Sequence, residues 1–171
     1  MTEHAPAEPT QKAYIGLGSN LDQPIEHILC ALKKLQALSC GAFIFSSLYQ
    51  SNPLDKTLQP DYINAVACID THLPPAILLQ MLQQIEQDQG RIRDTRWGAR
   101  TLDLDLLLVD HLQIQTDFLS LPHAGLTLRD FVLKPLIEIS PNIILPNGQY
   151  AKDLLPYVQD NALICLGRFT P

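Results

Sequence analysis

No run of apolar residues in this chain approaches the ~20 needed to cross a bilayer, and no short apolar core follows basic residues near its start. A spanning segment and a secretory leader are therefore not expected, and the reading is a soluble, cytoplasmic protein. Cysteine is scarce and unpatterned: Cys30, Cys40, Cys68 and Cys165 show no C-x-x-C spacing. Cys30 and Cys68 lie in apolar periodic stretches, which predicts buried free thiols rather than disulfides or a zinc site. A basic excess is also missing. Twelve Lys and Arg against 18 Asp and Glu give a net charge of −6, which disfavours nucleic acid or an anionic membrane as partner. Internal repeats, low-complexity tracts and domain-splitting linkers are absent, and 171 residues suit one domain with a substantial core.

Against that acidic background, the segment from Gly90 to Val109, GRIRDTRWGARTLDLDLLLV, stands out. Arg91, Arg93, Arg96 and Arg100 crowd its first half, and Leu102, Leu104 and Leu106 alternate with Asp103 and Asp105 in its second. Side chains two apart on a strand share a face, so Asp103 and Asp105 stand side by side with leucines behind them. By itself such alternation describes an amphipathic strand with a solvated face. The run Leu106 to Val109, apolar on both faces, instead predicts a strand covered on both sides, where an acidic pair is out of place on ordinary surface. Paired carboxylates favour a hard divalent cation, magnesium accepts one or two carboxylates together with phosphate oxygens, and arginines fork onto phosphates. The pattern points to a magnesium-bound polyphosphate, most simply ATP.

The rest of the chain supplies the frame. Residues 1–11 read as a disordered tail and 12–171 as a single domain. Ala13 to Leu17 predicts a strand, followed by a helix to about Leu38 with Asp22 as N-cap and Pro24 in its first turn. Gly16 and Gly18 lack the third glycine of a dinucleotide fingerprint. Ala42 to Tyr49 and Tyr62 to Ile69 predict strands, separated by a long proline-containing loop of the kind that often binds ligands. Pro74 and Pro75 open a helix closed by Gly90, with Glu86 on its polar face as a solvated charge. After the Asp strand come a short strand from Leu112 to Gln115, a helix opened by a capping box of Thr127 and Asp130, a turn at Pro146-Asn147-Gly148, and a short helix from Asp153 to Val158. The order is βαββαβ with an appendage: an α+β fold with a ferredoxin-like core and antiparallel sheet. If the appendage covers the free sheet face, the doubly apolar end of the Asp strand is accounted for.

With these residues laid out, the chain resembles the 6-hydroxymethyl-7,8-dihydropterin pyrophosphokinase family. The resemblance is carried by YIGLGSNL, QPDYINAV, IEQDQGRIR, RWGARTLDLDLLL, LPH and RDFVLKPL, collinear from residue 14 to about 142. It implies an α/β/α sandwich on the ferredoxin-like core, and transfer of the terminal pyrophosphoryl group of ATP to the pterin's hydroxymethyl oxygen, releasing AMP. It implies two magnesium ions on Asp103 and Asp105. Arg91, Arg93 and Arg100 would meet phosphates, with Trp97, in a mobile catalytic loop that closes over ATP. Arg91 and Arg100 join the acidic pair as catalytic residues. Tyr62 and Phe131 would sandwich the pterin and Asn64 would bond its amide-like edge, with Ser51, Leu54 and Trp97 completing the pocket; alternation independently puts Tyr62 and Asn64 on one strand face. His123, Arg129, Gln83, Glu86, Leu106 and Ser120 match nucleotide-side positions. A monomer is expected.

The sequence departs from the family at Ala99, where proline is usual, Ala124, where tyrosine often stands, Phe118, at an often basic position, and Asp55, which replaces a common glycine. Two rivals share some of these features. A nucleotidyltransferase or sugar-nucleotide transferase would use the Asp-x-Asp pair but has no need of Tyr62, Asn64 and Phe131. A non-catalytic nucleotide-binding module needs neither both aspartates nor the arginine run.

Overall fold

The structure, a computed structural model, describes residues 9–54, 58–90 and 101–171. Its centre is a six-stranded sheet. Strand β1 (Gln11–Ser19) begins at the last residue of the tail assigned from sequence, and helix α1 (Pro24–Leu38) follows it. Then come β2 (Phe43–Phe45), β3 (Leu48–Ser51), β4 (Tyr62–Thr71), α2 (Pro75–Asp88) and β5 (Asp103–Val109). A two-stranded ribbon of β6 (Ile114–Gln115) and β7 (Ser120–Leu121) leads to α3 (Asp130–Ile139), a 3-10 helical segment (Ala151–Tyr157) and β8 (Ile164–Gly167). The spatial order β5-β1-β4-β3-β8, with β2 also on β4, and the antiparallel pairing throughout form the expected ferredoxin-like arrangement with one added edge strand.

Strand periodicity explains the layers. Ala13, Ile15 and Leu17 of β1, Ile63, Ala65, Ala67 and Ile69 of β4, and Leu104 and Leu106 of β5 face α1 and α2. There they meet Ile28, Leu32, Leu35, Leu78 and Leu82. Tyr14, Val66, Cys68, Leu107 and Leu108 face the other way, against Val132, Leu133 and Leu136 of α3. The appended elements do cover the second face, which makes a sandwich of three layers. Each fully buried leucine or isoleucine contributes roughly 1.5–3 kcal/mol.

Several local expectations are corrected. Asp22 does not cap α1: Gln23 is the N-cap, and both residues are left-handed (φ 47 and 67), whereas a side-chain cap needs an extended N-cap backbone. The Thr127–Asp130 box does not form either. Arg129 is the N-cap of α3 without a side-chain bond, because the Asp130 carboxylate is taken by Asn161. The strand expected over Ala42 to Tyr49 is broken at Ser46, whose N–H donates to Val66 O (2.9 Å) and whose Oγ accepts from Val66 N–H (3.0 Å), so β4 stays paired through the break. The final helix is 3-10 and contains Pro156. The ribbon strand is only Ile114–Gln115, and β8 was not foreseen.

Of the cysteines, Cys68 is buried, and burial pushes its thiol up to about 11. Cys30 is exposed, being two residues on from Ile28 and so turned away from the buried stripe of α1. Gly90 ends α2 as expected: at φ 77 it donates its N–H to Gln87 O (2.9 Å).

Candidate active site

The site lies where α3 stops covering its sheet face. Two residues on from Tyr14, β1 turns from a buried tyrosine to Gly16 and then Gly18. Two residues before Val66, β4 presents Asn64 and then Tyr62, and two before Leu107, β5 presents Asp105 and then Asp103. All of these line one cleft of about 850 Å³, counting space open to solvent at its mouth. Registry places Asp103 beside Gly18 and Gly18 beside Asn64 in one row across the sheet. At the spacing of paired strands the acid and the amide are therefore about 10 Å apart with a bare backbone floor between them. The two acids share a face, partly exposed, while Leu104 between them is buried.

Around this floor stand Ser51, Asn52, Pro53, Leu54 and Gln59 on one side and Arg129, Phe131 and Val132 of α3 on the other. Asn64 Nδ2 donates to Ser51 Oγ (2.9 Å) and Tyr49 O (3.3 Å), which fixes the amide and turns its Oδ1 toward Gly18. Tyr62 donates its hydroxyl to Gln59 Oε1 at 3.5 Å, and Asn20 Nδ2, buried, donates to Pro60 O at 3.2 Å, tying the β3–β4 loop to the end of β1. The Arg129 guanidinium sits over Phe131 (5.9 Å to the ring) and against Gly125, where an added Cβ would lie 2.8 Å from its central carbon.

His123 stands at the acidic end, its Nε2 3.7 Å from Asp105 Oδ1. It is held by the backbone. A register shift between Tyr14 and Ile15 leaves Leu107 as an extra residue on β5, and Leu107 O accepts the His123 N–H (2.8 Å). Gly125 N–H donates to His123 Nδ1 (3.0 Å), which leaves the ring proton on Nε2, facing the carboxylate.

Of the residues expected at a site, the cleft gathers Asp103, Asp105, Ser51, Leu54, Tyr62, Asn64, Arg129 and Phe131, with His123 adjoining. Four others do not line it. Leu106 is 2% exposed with its side chain in the α1/α2 core, not at a nucleotide. Ser120, in the ribbon, donates to Gln115 Oε1 (2.9 Å). Gln83 lies on α2, across the sheet. Glu86, also on α2, is not a solvated charge: it is 2% exposed, and its Oε1 accepts the Leu104 N–H at 2.7 Å. Arg91, Arg93, Arg96, Trp97, Ala99, Arg100 and Asp55 lie outside the described residues. Phe118 is exposed and Ala124 follows His123 in the loop.

The glycine floor and Gln59 were not singled out from sequence. The signal was there: Tyr14, Gly16 and Gly18 keep the two-residue period of β1, with side-chain bulk removed at the positions nearest the acids. Among the described residues no three His, Cys, Asp or Glu side chains gather to hold a metal. The donor set is a carboxylate pair, which suits a cation whose remaining ligands are phosphate and water.

Comparison with known proteins bears on the family and the fold. The family model for 7,8-dihydro-6-hydroxymethylpterin-pyrophosphokinase (HPPK) matches residues 14–141. The chain is 48% identical over 155 residues to the 2-amino-4-hydroxy-6-hydroxymethyldihydropteridine pyrophosphokinase of Haemophilus influenzae, covering 90% of this chain and 97% of that one. To the Pseudomonas aeruginosa protein of the same name it is 44% identical, covering 85% and 90%. Among solved structures, an HPPK-DHPS crystallised with substrates superimposes with a TM-score of 0.70 at 14% identity, covering 87% of this chain. Wild-type Plasmodium falciparum HPPK-DHPS with pteroate gives 0.68 at 15% identity and 90% coverage. At those identities the likeness shows the fold, and the chain spans 43% of each of those two longer chains.

Proposed function

The chain belongs to the 7,8-dihydro-6-hydroxymethylpterin-pyrophosphokinase family, and on that premise we propose that it moves the terminal pyrophosphoryl group of ATP onto 6-hydroxymethyl-7,8-dihydropterin in folate biosynthesis. The hydroxymethyl oxygen attacks the β-phosphorus, the bond from that phosphorus to the oxygen bridging the α-phosphate breaks, and AMP leaves.

The observation that carries this reading is one cleft holding both chemistries about 10 Å apart. At one end Tyr62 and Phe131 line the cleft together with Asn64, whose amide nitrogen is already engaged, a setting for a flat ring with an amide-like edge. At the other end Asp103 and Asp105 share a face beside His123 and on the cleft that Arg129 also lines.

Asp103 and Asp105 are the residues to hold two magnesium ions, which would offset charge building on the bridging oxygen. His123 directs its Nε2 proton to the same end, and Arg129 supplies a fork for phosphate oxygens. Arg91, Arg93 and Arg100 are assigned by resemblance to the phosphates, Arg91 and Arg100 as catalytic, and Trp97 to the closing loop that keeps water from ATP. Gln83, Glu86, Leu106 and Ser120 retain only the resemblance as support for nucleotide contact. Glu86 has a direct role in holding β5.

Residues 12–171 are read as one catalytic domain acting as a monomer, a reading supported by a single sheet that takes in strands from β1 to β8. No described helix is long and apolar enough to cross a membrane. Dependence on ATP and a soluble pterin puts the proposed site of action in the cytoplasm.

The test is to supply ATP, magnesium and hydroxymethyldihydropterin and follow products. One AMP per pterin consumed, with no free pyrophosphate, is the expected outcome. AMP or pyrophosphate appearing without the pterin would point instead to nucleotidyl transfer or simple hydrolysis.

A further inference from the structure

The appended C-terminal segment does more than add an edge strand. Asp130, between the cleft residues Arg129 and Phe131, is only 4% exposed. Its Oδ2 accepts the Asn161 N–H (2.8 Å) and its Oδ1 accepts Asn161 Nδ2 (2.7 Å). Asn161 is equally buried, and its own carbonyl oxygen accepts the N–H of Asn52 (3.2 Å), a residue of the opposite cleft wall. A backbone bridge between Arg129 and Gln159 lies alongside, and Asn161 Nδ2 also reaches Gln159 O (3.2 Å). Asn161 itself does not line the cleft.

Resting on the pterin reading above, we infer that Asn161 is a positioning residue: it clamps the first turn of α3 to the β3–β4 loop and so sets the separation of the walls that grip the ring. The chemistry supports a fixed spacing. Both oxygens of a buried carboxylate are held by a backbone and a side-chain donor of one residue, a two-point contact that cannot swivel. The same residue's carbonyl then fixes the other wall. Phe131 meets a flat ring from the clamped turn and Leu54 meets it from the clamped loop, so the pterin feels that gap directly, whereas the long Arg129 side chain on the same wall can follow a small shift and keep its phosphate contact.

The experiment compares Asn161→Ala with the exchange Asp130→Asn/Asn161→Asp, in which the amide and carboxylate trade places and can pair again. Glu138→Gln serves as a stability control. Glu138 anchors the far end of α3, accepting from Ser47 N–H (2.9 Å), Tyr49 Oη (2.8 Å) and Arg168 (3.2 Å), none of which lines the cleft. Asn161→Ala is expected to raise KM for the pterin about tenfold, the order of one lost charge-assisted hydrogen bond, with KM for ATP and kcat within about twofold. It is expected to speed amide exchange at Asn52 and in residues 130–133 together. The exchange variant recovers part of the pterin KM, since the pair re-forms without the bond to Gln159 O, and Glu138→Gln lowers Tm without moving it. An unchanged pterin KM in Asn161→Ala, an equal rise for ATP, or unaltered exchange at Asn52 overturns the clamp. Absence of pterin turnover in the unaltered protein would refute the functional reading instead, and amide exchange would still decide whether the two walls are coupled.

Discussion

Replacing Glu86 isolates what holds the acidic strand in place. Strand β5 is the edge of the sheet, so one side of its backbone has no neighbouring strand. The Leu104 N–H is satisfied on that side by Glu86 Oε1 at 2.7 Å, in a buried setting. Removing the acceptor with Glu86→Ala leaves a buried donor unpaired, at about 1–3 kcal/mol. Lost burial of the side-chain methylenes adds about 1 kcal/mol. Glu86→Gln retains an acceptor oxygen for the Leu104 N–H and gives up the advantage of a charged one, about 1 kcal/mol. For a chain of this size roughly 2–4 °C of Tm accompanies each kcal/mol, so the alanine variant should melt about 4–16 °C lower and the glutamine variant about 2–4 °C lower. Thermal unfolding monitored by circular dichroism gives the Tm shifts, and urea unfolding, with the m-value checked for constancy, gives the free energies. Equal losses in the two variants, or an alanine loss under about 1 kcal/mol, would refute the assignment of Glu86 as the support of β5.

Other consequences follow from the same geometry. Asp103→Asn and Asp105→Asn should each lower turnover by at least about a hundredfold while Tm falls little, since both carboxylates are partly exposed in the cleft; steady-state AMP release checks this. Phe131→Ala and Tyr62→Ala should raise Kd for the pterin about tenfold or more; Tyr62→Ala leaves ATP binding nearly unchanged, whereas Phe131→Ala, which removes the ring beneath Arg129, weakens it as well, as calorimetric titration of each substrate would read. Gly125→Ala puts a Cβ 2.8 Å from the Arg129 guanidinium and should displace it, raising KM for ATP severalfold in initial-rate assays. Burial pushes the Glu138 carboxyl up, but bonds from Ser47 N–H, the Tyr49 and Ser47 hydroxyls and Arg168 outweigh it and hold it below its ordinary range. Its contribution is then present above the unfolded value near ~4.3 and lost as pH falls through the lower folded value. Burial, and then Glu138, push Tyr49 upward, so its contribution is lost as pH rises above about 10. Glu138→Gln should flatten the acid limb of a stability–pH curve, measured by urea unfolding.

Much of this protein is decided by periods short enough to read along the chain. The two-residue alternation of Asp103 and Asp105 and of Tyr62 and Asn64 put each pair on one strand face, and the leucine stripes of α1 and α2 fixed which sides are buried. The βαββαβ order and the second covering layer follow from those patterns, since a strand apolar on both faces demands cover on both. What the chain alone did not reveal are contacts between distant segments. Glu86 reads as a helix surface charge until β5 is known to be an edge whose Leu104 N–H needs a partner. Asp130 reads as a capping residue until Asn161, 31 positions later, occupies its carboxylate. The break at Ser46, the extra residue at Leu107 that aims His123, and the edge strand β8 are likewise choices of backbone pairing, which carry little side-chain signature. Local sequence sets which face a side chain takes; only the assembled sheet decides what stands opposite it, because a hydrogen bond between remote groups leaves no periodic trace in either.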